Sequence, residues 1–146
     1  MSEKPTLLDP VPRTATVRAA ALAAALVTVA AGLGVRATAG GDVAGGDVAK
    51  YAGDALYTVL IHTLVVFLAP RVRPLTAAGA ALAFSWAVEL AQLTGVPADL
   101  ARHSTVARLV LGSTFNAPDL LRYAAGAALA WAAHRGLRSW SARARA

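Results

Sequence analysis

Four long apolar stretches, separated by polar connections, dominate the pattern of the chain. They cover residues 19–35, 55–69, 75–96 and 120–133, and the third contains a single charged residue, Glu89. Each stretch is apolar on all sides rather than on one face, which is typical of membrane helices and not of the surface helices of a soluble bundle. The pattern therefore predicts an all-α integral membrane helical bundle with four transmembrane helices.

The connections divide the chain into a transmembrane domain and two tails. Residues 1–16 contain three prolines and are predicted to be a flexible N-terminal tail, and residues 136–146 a basic C-terminal tail. The four-helix domain then covers residues 17–135, with a Gly-rich loop over residues 37–50. Residues 106–111 are apolar but too short to cross a bilayer, so we expect a short interfacial or re-entrant segment before the last helix.

One alternative reduces the number of spans to three. Arg13 and Arg18 precede the first apolar stretch, and Ala37-Thr38-Ala39 follows it, which is a pattern that signal peptides share. The apolar stretch is longer than a usual signal core, and Arg36 lies in the would-be cleavage region. These features favour an uncleaved transmembrane helix.

Composition narrows the chemistry that the chain can support. Of the 146 residues, 57% are hydrophobic and 15% are charged, whereas soluble domains carry about 25% charged residues. The absence of cysteine excludes disulfides, thiolate zinc sites and a cysteine nucleophile. The three histidines, His62, His103 and His134, are too scattered to indicate a metal site. We therefore predict neither a metal nor a cofactor.

The distribution of the 14 Lys and Arg residues predicts the orientation. Most of them lie in the N-terminal segment, in the turn at residues 71–73 and in the C-terminal tail. By the positive-inside rule both termini are cytoplasmic. The net charge of +6 then reflects topology and contact with anionic lipids. A nucleic-acid partner is disfavoured, because the charges flank apolar spans instead of forming one face.

Glu89 is the first candidate for function. A carboxylate in hydrocarbon costs at least about 2.5 kcal/mol, so it must face protein or water and needs a partner. On a helix it shares one face with Ser85 and Gln92. It is interpreted either as a structural carboxylate that hydrogen-bonds helices together or as a functional acid that lines an outward-facing cavity.

The fourth stretch begins with a second polar group. Asp119, Arg122, Tyr123 and Gly126 recur at helical spacing and predict one stripe that faces into the bundle. Gly126 also begins a small-xxx-small pair, which favours close helix packing. The alternative is that Asn116-Ala117-Pro118-Asp119 only starts the helix, since these residue types suit a helix N-terminus.

A wider set of polar residues maps to one membrane side under the four-span topology. Its members on the outer side are Asp54, Glu89, Gln92, Arg102, Asp119 and Arg122. Carboxylates and guanidiniums at one depth can pair and can present a polar site to a lipid head group or a solute. His62 lies on the same helix face as Asp54, which leaves open a packing histidine or a proton relay.

Several of these residues stand in a pattern that resembles a family of small bacterial membrane proteins. The pattern comprises Tyr51-Ala-Gly-Asp54-Ala-Leu56-Tyr57, Glu89-Leu-Ala-Gln92, Leu111-Gly112-Ser-Thr-Phe115 and Asp119-Leu-Leu-Arg-Tyr123-Ala-Ala-Gly126. It resembles the family known as domain of unknown function 2809 and, more distantly, VanZ-like proteins, which are linked to glycopeptide tolerance in the cell envelope. The resemblance implies a multi-pass inner-membrane protein whose activity is not established. The positions that match are Gly53, Asp54, Glu89, Gln92, Arg102, Gly112, Phe115, Asp119, Tyr123 and Gly126. Arg108 is the alternative to Arg102 as the arginine of the family pattern.

The leading functional hypothesis is a non-enzymatic envelope protein that binds a lipid or amphiphile head group at the outward-facing polar site. Glu89, Asp119 and Arg102 would supply charge there, and Gln92 and Asp54 would orient them. The second hypothesis is a proton-coupled small-solute carrier, or a subunit of one, which titrates Glu89 and His62. Four short spans are few for a carrier, so this requires a homo-oligomer or a membrane partner protein. The third is a membrane enzyme acting on a lipid-linked phosphate, for which no nucleophile is evident.

Overall fold

The structure, a computed structural model, describes residues 13–38 and 43–143, and these residues form an all-α bundle. Its helices, in chain order, are α1 (Arg13–Thr38), α2 (Val43–Leu68), α3 (Pro74–Ala91), α4 (Val96–His103), α5 (Thr105–Leu111) and α6 (Ala117–Arg143). A 3-10 turn, Gln92–Thr94, extends α3. No strand occurs in the described part of the chain, so the predicted fold class is confirmed as all-α.

Prolines and glycines set the helix ends. Pro74 starts α3, and Arg73 before it is extended (φ −70°, ψ 143°), as a residue that precedes proline prefers. Gly95 ends the 3-10 turn in the left-handed region (φ 76°), where a side chain is unfavourable. Ser104 accepts a hydrogen bond from the backbone N–H of Ala107 at 3.2 Å and so caps α5. These local signals separate α3 from the two short helices.

Three helices, not four, are long and apolar enough to cross a membrane among the described residues. They cover Arg13–Ala37, Val48–Leu68 and Pro74–Thr94. The predicted fourth span lies in α6, which is longer than the other helices but interrupted by charge at both ends. Asp119 and Arg122 lie in its first turns, and Arg135 and Arg138 follow soon after the alanine-rich centre. By length and composition, the described residues therefore provide three candidate spans instead of the four predicted.

Helix α6 nevertheless runs beside α2 and α3 along their length. Near its start, Arg122 reaches Asp54, which lies near the start of the candidate span of α2. Near its end, the guanidinium of Arg138 donates to the carbonyl of Val72, just beyond α2, at 2.9 Å. Helices α2, α3 and α6 therefore form the centre of the bundle, while α1 packs chiefly against α2.

Small residues allow the central helices to approach closely. Ala77, Ala81, Ser85 and Glu89 of α3 recur every four residues and are all buried. On α6 the buried face includes Gly126, and a Cβ there would lie 3.0 Å from Cα of Ala55. The large apolar side chains point outward instead, as expected of a protein surrounded by hydrocarbon.

The predicted boundaries of the tails and of one loop need correction. Residues 13–16 belong to α1 and residues 136–143 to α6, so the described parts of both predicted tails are helical. Residues 43–50 belong to α2 although they contain Gly45 and Gly46, because propensity is a weak constraint where a helix packs against a neighbour. Residues 1–12, 39–42 and 144–146 of the predicted tails and loop lie outside the described residues. The short segment predicted at residues 106–111 corresponds to α5.

Candidate functional site

Glu89 is the most deeply buried charged residue described, with 1% of its surface exposed. Its Oε1 accepts a hydrogen bond from the backbone N–H of Asn116 at 2.6 Å, and its Oε2 accepts one from the hydroxyl of Tyr123 at 3.0 Å. Donors to both oxygens compensate for the loss of water around the carboxylate. Glu89 thus ties α3 to the start and the second turn of α6.

Asn116 connects this carboxylate to a group of ion pairs. Its side-chain amide donates to Asp119, and the guanidinium of Arg122 bridges Asp119 at 2.5 Å and Asp54 at 3.2 Å. Lys50 completes the group, with Nζ 3.4 Å from Asp119. We call this continuous set the polar network: Lys50, Asp54, Glu89, Asn116, Asp119, Arg122 and Tyr123. It joins α2, α3 and α6 at one end of the bundle.

The polar network is closed on its inner side and accessible at its rim. The side chain of Lys50 is 46% exposed, whereas that of Asp119 is 7% exposed. Tyr51 is also exposed, and its ring lies under the guanidinium of Arg122, 3.7 Å from the ring centroid. The buried charged side chains of the polar network, which we call its ionic floor, therefore lie below an exposed rim that consists of the ammonium group of Lys50 and the ring of Tyr51.

The segment before α6 is fixed over the same end of the bundle. Gln92 donates through Nε2 to the carbonyl of Leu111 at 2.7 Å, and Tyr57 donates to the carbonyl of Val110 at 2.9 Å. Gly112 follows with φ 65°, and a Cβ there would lie 2.7 Å from Nε2 of Gln92. These contacts hold α5 against α2 and α3. The Oε1 atom of Gln92 is buried and has no hydrogen-bond partner among the described residues.

The structure brings together most of the site residues that the sequence indicates. Asp54, Glu89, Asp119, Arg122 and Tyr123 all belong to the polar network. Arg102 does not belong to it: its side chain is 69% exposed and pairs with Asp99 on α4. Gly53 has open space where a Cβ would be, unlike Gly112 and Gly126.

Sequence reasoning missed three residues of this end. Lys50 is the last residue of the segment predicted as a Gly-rich loop. Tyr51 directly follows that segment and is named only as part of the family pattern, and Asn116 is predicted only as a helix cap. The i, i+4 spacing of Lys50 and Asp54 and the i, i+3 spacing of Asn116 and Asp119 are the signals that could have found them.

Among the described residues His62 and Asp54 are not in contact, so the relay that the sequence left open is not formed. Nε2 of His62 lies 3.2 Å from Nδ1 of His134 on α6, and the two rings meet edge to face. Asp54 pairs with Arg122 instead. The described residues contain no group of His, Asp and Glu side chains that could hold a metal ion.

A family described as a protein of unknown function, DUF2809, matches residues 43–127. The chain belongs to the DUF2809 family. The matched region extends from the start of α2 to the middle of α6, so it contains the whole polar network of this DUF2809 protein but neither α1 nor His134. Searches of curated proteins and of solved structures found no match.

Proposed function

We propose that this DUF2809 protein is a multi-pass protein of the bacterial inner membrane that binds the head group of a lipid or other amphiphile at the polar network. The observation that supports it most is the combination of a fully bonded ionic floor with an exposed rim at Lys50 and Tyr51. Preformed polar groups of this kind orient a ligand at little cost in ordering. The role in the cell is then one in the envelope, and the lipids of the membrane are the partners.

The charge of the polar network favours a particular head group. Its acids are Asp54, Glu89 and Asp119, and its cations are Lys50 and Arg122, so one carboxylate is unbalanced. Arg102, which would have balanced it, pairs elsewhere. A zwitterionic amine head group complements this arrangement, with its phosphate near the ammonium of Lys50 and its own ammonium near the carboxylates. Phosphatidylethanolamine is therefore the ligand class that we propose.

The topology we propose has α6 crossing the membrane beside α2 and α3. Helix α6 is not one of the three candidate spans by composition. The support for its crossing is that it contacts the candidate span of α2 near its start, through Asp54, and the turn after α2, through Val72. Its charged ends then lie at the two interfaces. Both termini are cytoplasmic in this arrangement, since the arginines cluster at the end of the bundle opposite the polar network. A reporter fused after Ala146 should report the cytoplasm, and an external signal would contradict the topology.

The head-group proposal can be tested with a matched pair of neutral variants. Asp54→Asn removes one of the three carboxylate charges and so brings the polar network to neutrality, whereas Asp99→Asn makes the same change in an exposed pair on α4. We expect Asp54→Asn to reduce retention of phosphatidylethanolamine in native mass spectrometry about tenfold, equivalent to about 1.4 kcal/mol. Asp99→Asn should leave retention unchanged. Equal retention by both variants would refute the proposal.

One observation favours a second function, a proton-coupled carrier. His62 and His134 lie in contact inside the bundle, beside a cleft between α1 and α6. Flux in proteoliposomes under a pH gradient tests this function. If the flux is unchanged in a His62→Phe variant, His62 does not take part in proton coupling.

A further inference from the structure

A cleft of about 1370 Å³ lies between α1 and α6, with α2 as its floor. It reaches the end of the bundle opposite the polar network, where α1 starts, α2 turns into α3 and α6 ends. Alanines form much of its walls, among them Ala20 and Ala24 on α1 and Ala130 and Ala133 on α6. Their small side chains leave the space open. The volume exceeds the 300–1,000 Å³ that is typical of ligand sites.

One polar atom in the cleft has no partner. His62 lines the cleft and is 3% exposed; its Nε2 contacts His134, but its Nδ1 is buried and has no hydrogen bond among the described residues. A buried polar group without a partner is destabilising, so the nitrogen calls for a ligand atom that can pair with it. In the tautomer that carries the proton of His62 on Nδ1, a carbonyl oxygen would accept from Nδ1–H, while Nε2 accepts from Nδ1–H of His134.

The mouth of the cleft is strongly basic. Arg13, Arg71 and Arg138 line it, and none of them forms an ion pair with a described residue. The described ion pairs all involve residues at the other end of the bundle: Lys50, Arg102 and Arg122. An anionic group at this mouth would meet three guanidiniums without a competing carboxylate from the described chain.

We infer that this cleft holds an acyl chain of an anionic phospholipid, with the phosphate at Arg13, Arg71 and Arg138 and an ester carbonyl at Nδ1 of His62. The alanine walls accommodate the chain, the histidine recognises the ester, and the arginines select the charge. The inference does not depend on the polar network, which lies at the other end and is built from different residues.

Charge selection is tested by native mass spectrometry of the full-length protein in detergent. The probes are phosphatidylglycerol and phosphatidylcholine with identical chains. We expect phosphatidylglycerol to bind at least about tenfold more tightly, and the triple variant Arg13→Gln/Arg71→Gln/Arg138→Gln to lose this preference. The matched triple variant Arg36→Gln/Arg102→Gln/Arg108→Gln, at the opposite end, should keep it. Equal affinity for both lipids would overturn the inference.

The acyl chain is tested by filling the cleft. Ala24→Phe/Ala133→Phe places two rings inside it, whereas Ala23→Phe/Ala132→Phe places them on the neighbouring exposed positions of the same helices. We expect about a tenfold loss of phosphatidylglycerol affinity in the first pair and none in the second. Equal loss in both pairs, or full competition by glycerol phosphate, would show that no chain occupies the cleft. A protein dimer that buries the cleft in the absence of lipid would also overturn the inference.

The role of His62 is tested with an ether-linked phosphatidylglycerol, which lacks the ester carbonyl. The unmodified protein should bind the ester form several-fold more tightly, and His62→Phe should bind the two forms equally. An unmodified protein that does not distinguish ester from ether would remove the histidine from the site.

Discussion

The hydroxyl of Tyr123 on α6 donates a hydrogen bond to Oε2 of Glu89 on α3, at 3.0 Å and out of contact with solvent. This bond and the one from the backbone of Asn116 satisfy both oxygens of the carboxylate. The acid that is costly in hydrocarbon is therefore the point at which two central helices are joined.

We predict that Tyr123→Phe destabilises the protein by about 1–3 kcal/mol, since it leaves a buried carboxylate oxygen without its donor. Glu89→Gln should cost a similar amount because the bonds to the carboxylate lose their charge. The measurement is thermal unfolding in detergent. The double variant should cost less than the two single variants together, because the residues interact directly. Strict additivity would contradict a direct bond.

Gly126 should not tolerate a methyl group. A Cβ at this position would lie 3.0 Å from Cα of Ala55, so Gly126→Ala must separate α2 from α6, and we expect a loss of about 1–3 kcal/mol. Gly136→Ala on the same helix is the control, since it has no neighbour within 4 Å. The control should be neutral or stabilising by up to about 1 kcal/mol. Similar unfolding temperatures for the two variants would refute the close approach.

Gly112→Ala combines two unfavourable effects. Gly112 has φ 65°, and its added Cβ would collide with Nε2 of Gln92, which holds Leu111. Gly95→Ala is the matched control because Gly95 has φ 76° but open space around it. Gly95→Ala should lose about 1–2 kcal/mol through backbone strain. Gly112→Ala should lose more, because its ψ of −164° lies in a region that essentially only glycine adopts. Only Gly112→Ala should also release α5, which hydrogen exchange at Leu111 and Val110 would detect; equal protection in both variants would contradict this.

Arg122 should matter far more than Arg102. Arg122→Gln leaves Asp54 and Asp119 facing each other in a half-buried site, and we expect a loss of about 3 kcal/mol or more. Arg102→Gln removes an exposed pair on one short helix, which is worth about 0.5 kcal/mol or less. Thermal unfolding compares the two. A larger effect at Arg102 would show that the ionic group is assigned to the wrong arginine.

Hydrophobicity predicts the all-α class and the three apolar spans well, because hydrocarbon solvent imposes a simple rule on long helices. Hydrophobicity describes α6 less well, because charged residues at both ends leave this helix outside the candidate spans. The position of α6 beside α2 and α3 depends instead on specific contacts such as that of Arg122 with Asp54. Local glycine content likewise wrongly predicts a loop at the start of α2, since packing against α1 overrides propensity.

The need of Glu89 for a partner could be predicted from the sequence, because an isolated buried charge is costly. The identity of the partner could be predicted only as far as the inward face of α6, which carries Tyr123. Whether Arg102 reaches the polar network depends on the direction in which α4 leaves the 3-10 turn. A helix as short as α4 has no periodic pattern from which that direction could be predicted. The cleft depends on the spacing of α1 and α6, which are far apart in the chain.

The carboxylates of the polar network lie at one end of the bundle and Arg13, Arg71 and Arg138 at the other, so the molecule has an electric dipole along the bundle axis. In the proposed orientation, its guanidinium-rich end faces the negative side of an energised membrane, where each elementary charge is favoured by about 2.3 kcal/mol per 100 mV crossed. In that orientation the transmembrane voltage would favour the same placement of the charges as the positive-inside distribution does. Collapse of the voltage would weaken that bias while leaving the fold itself intact.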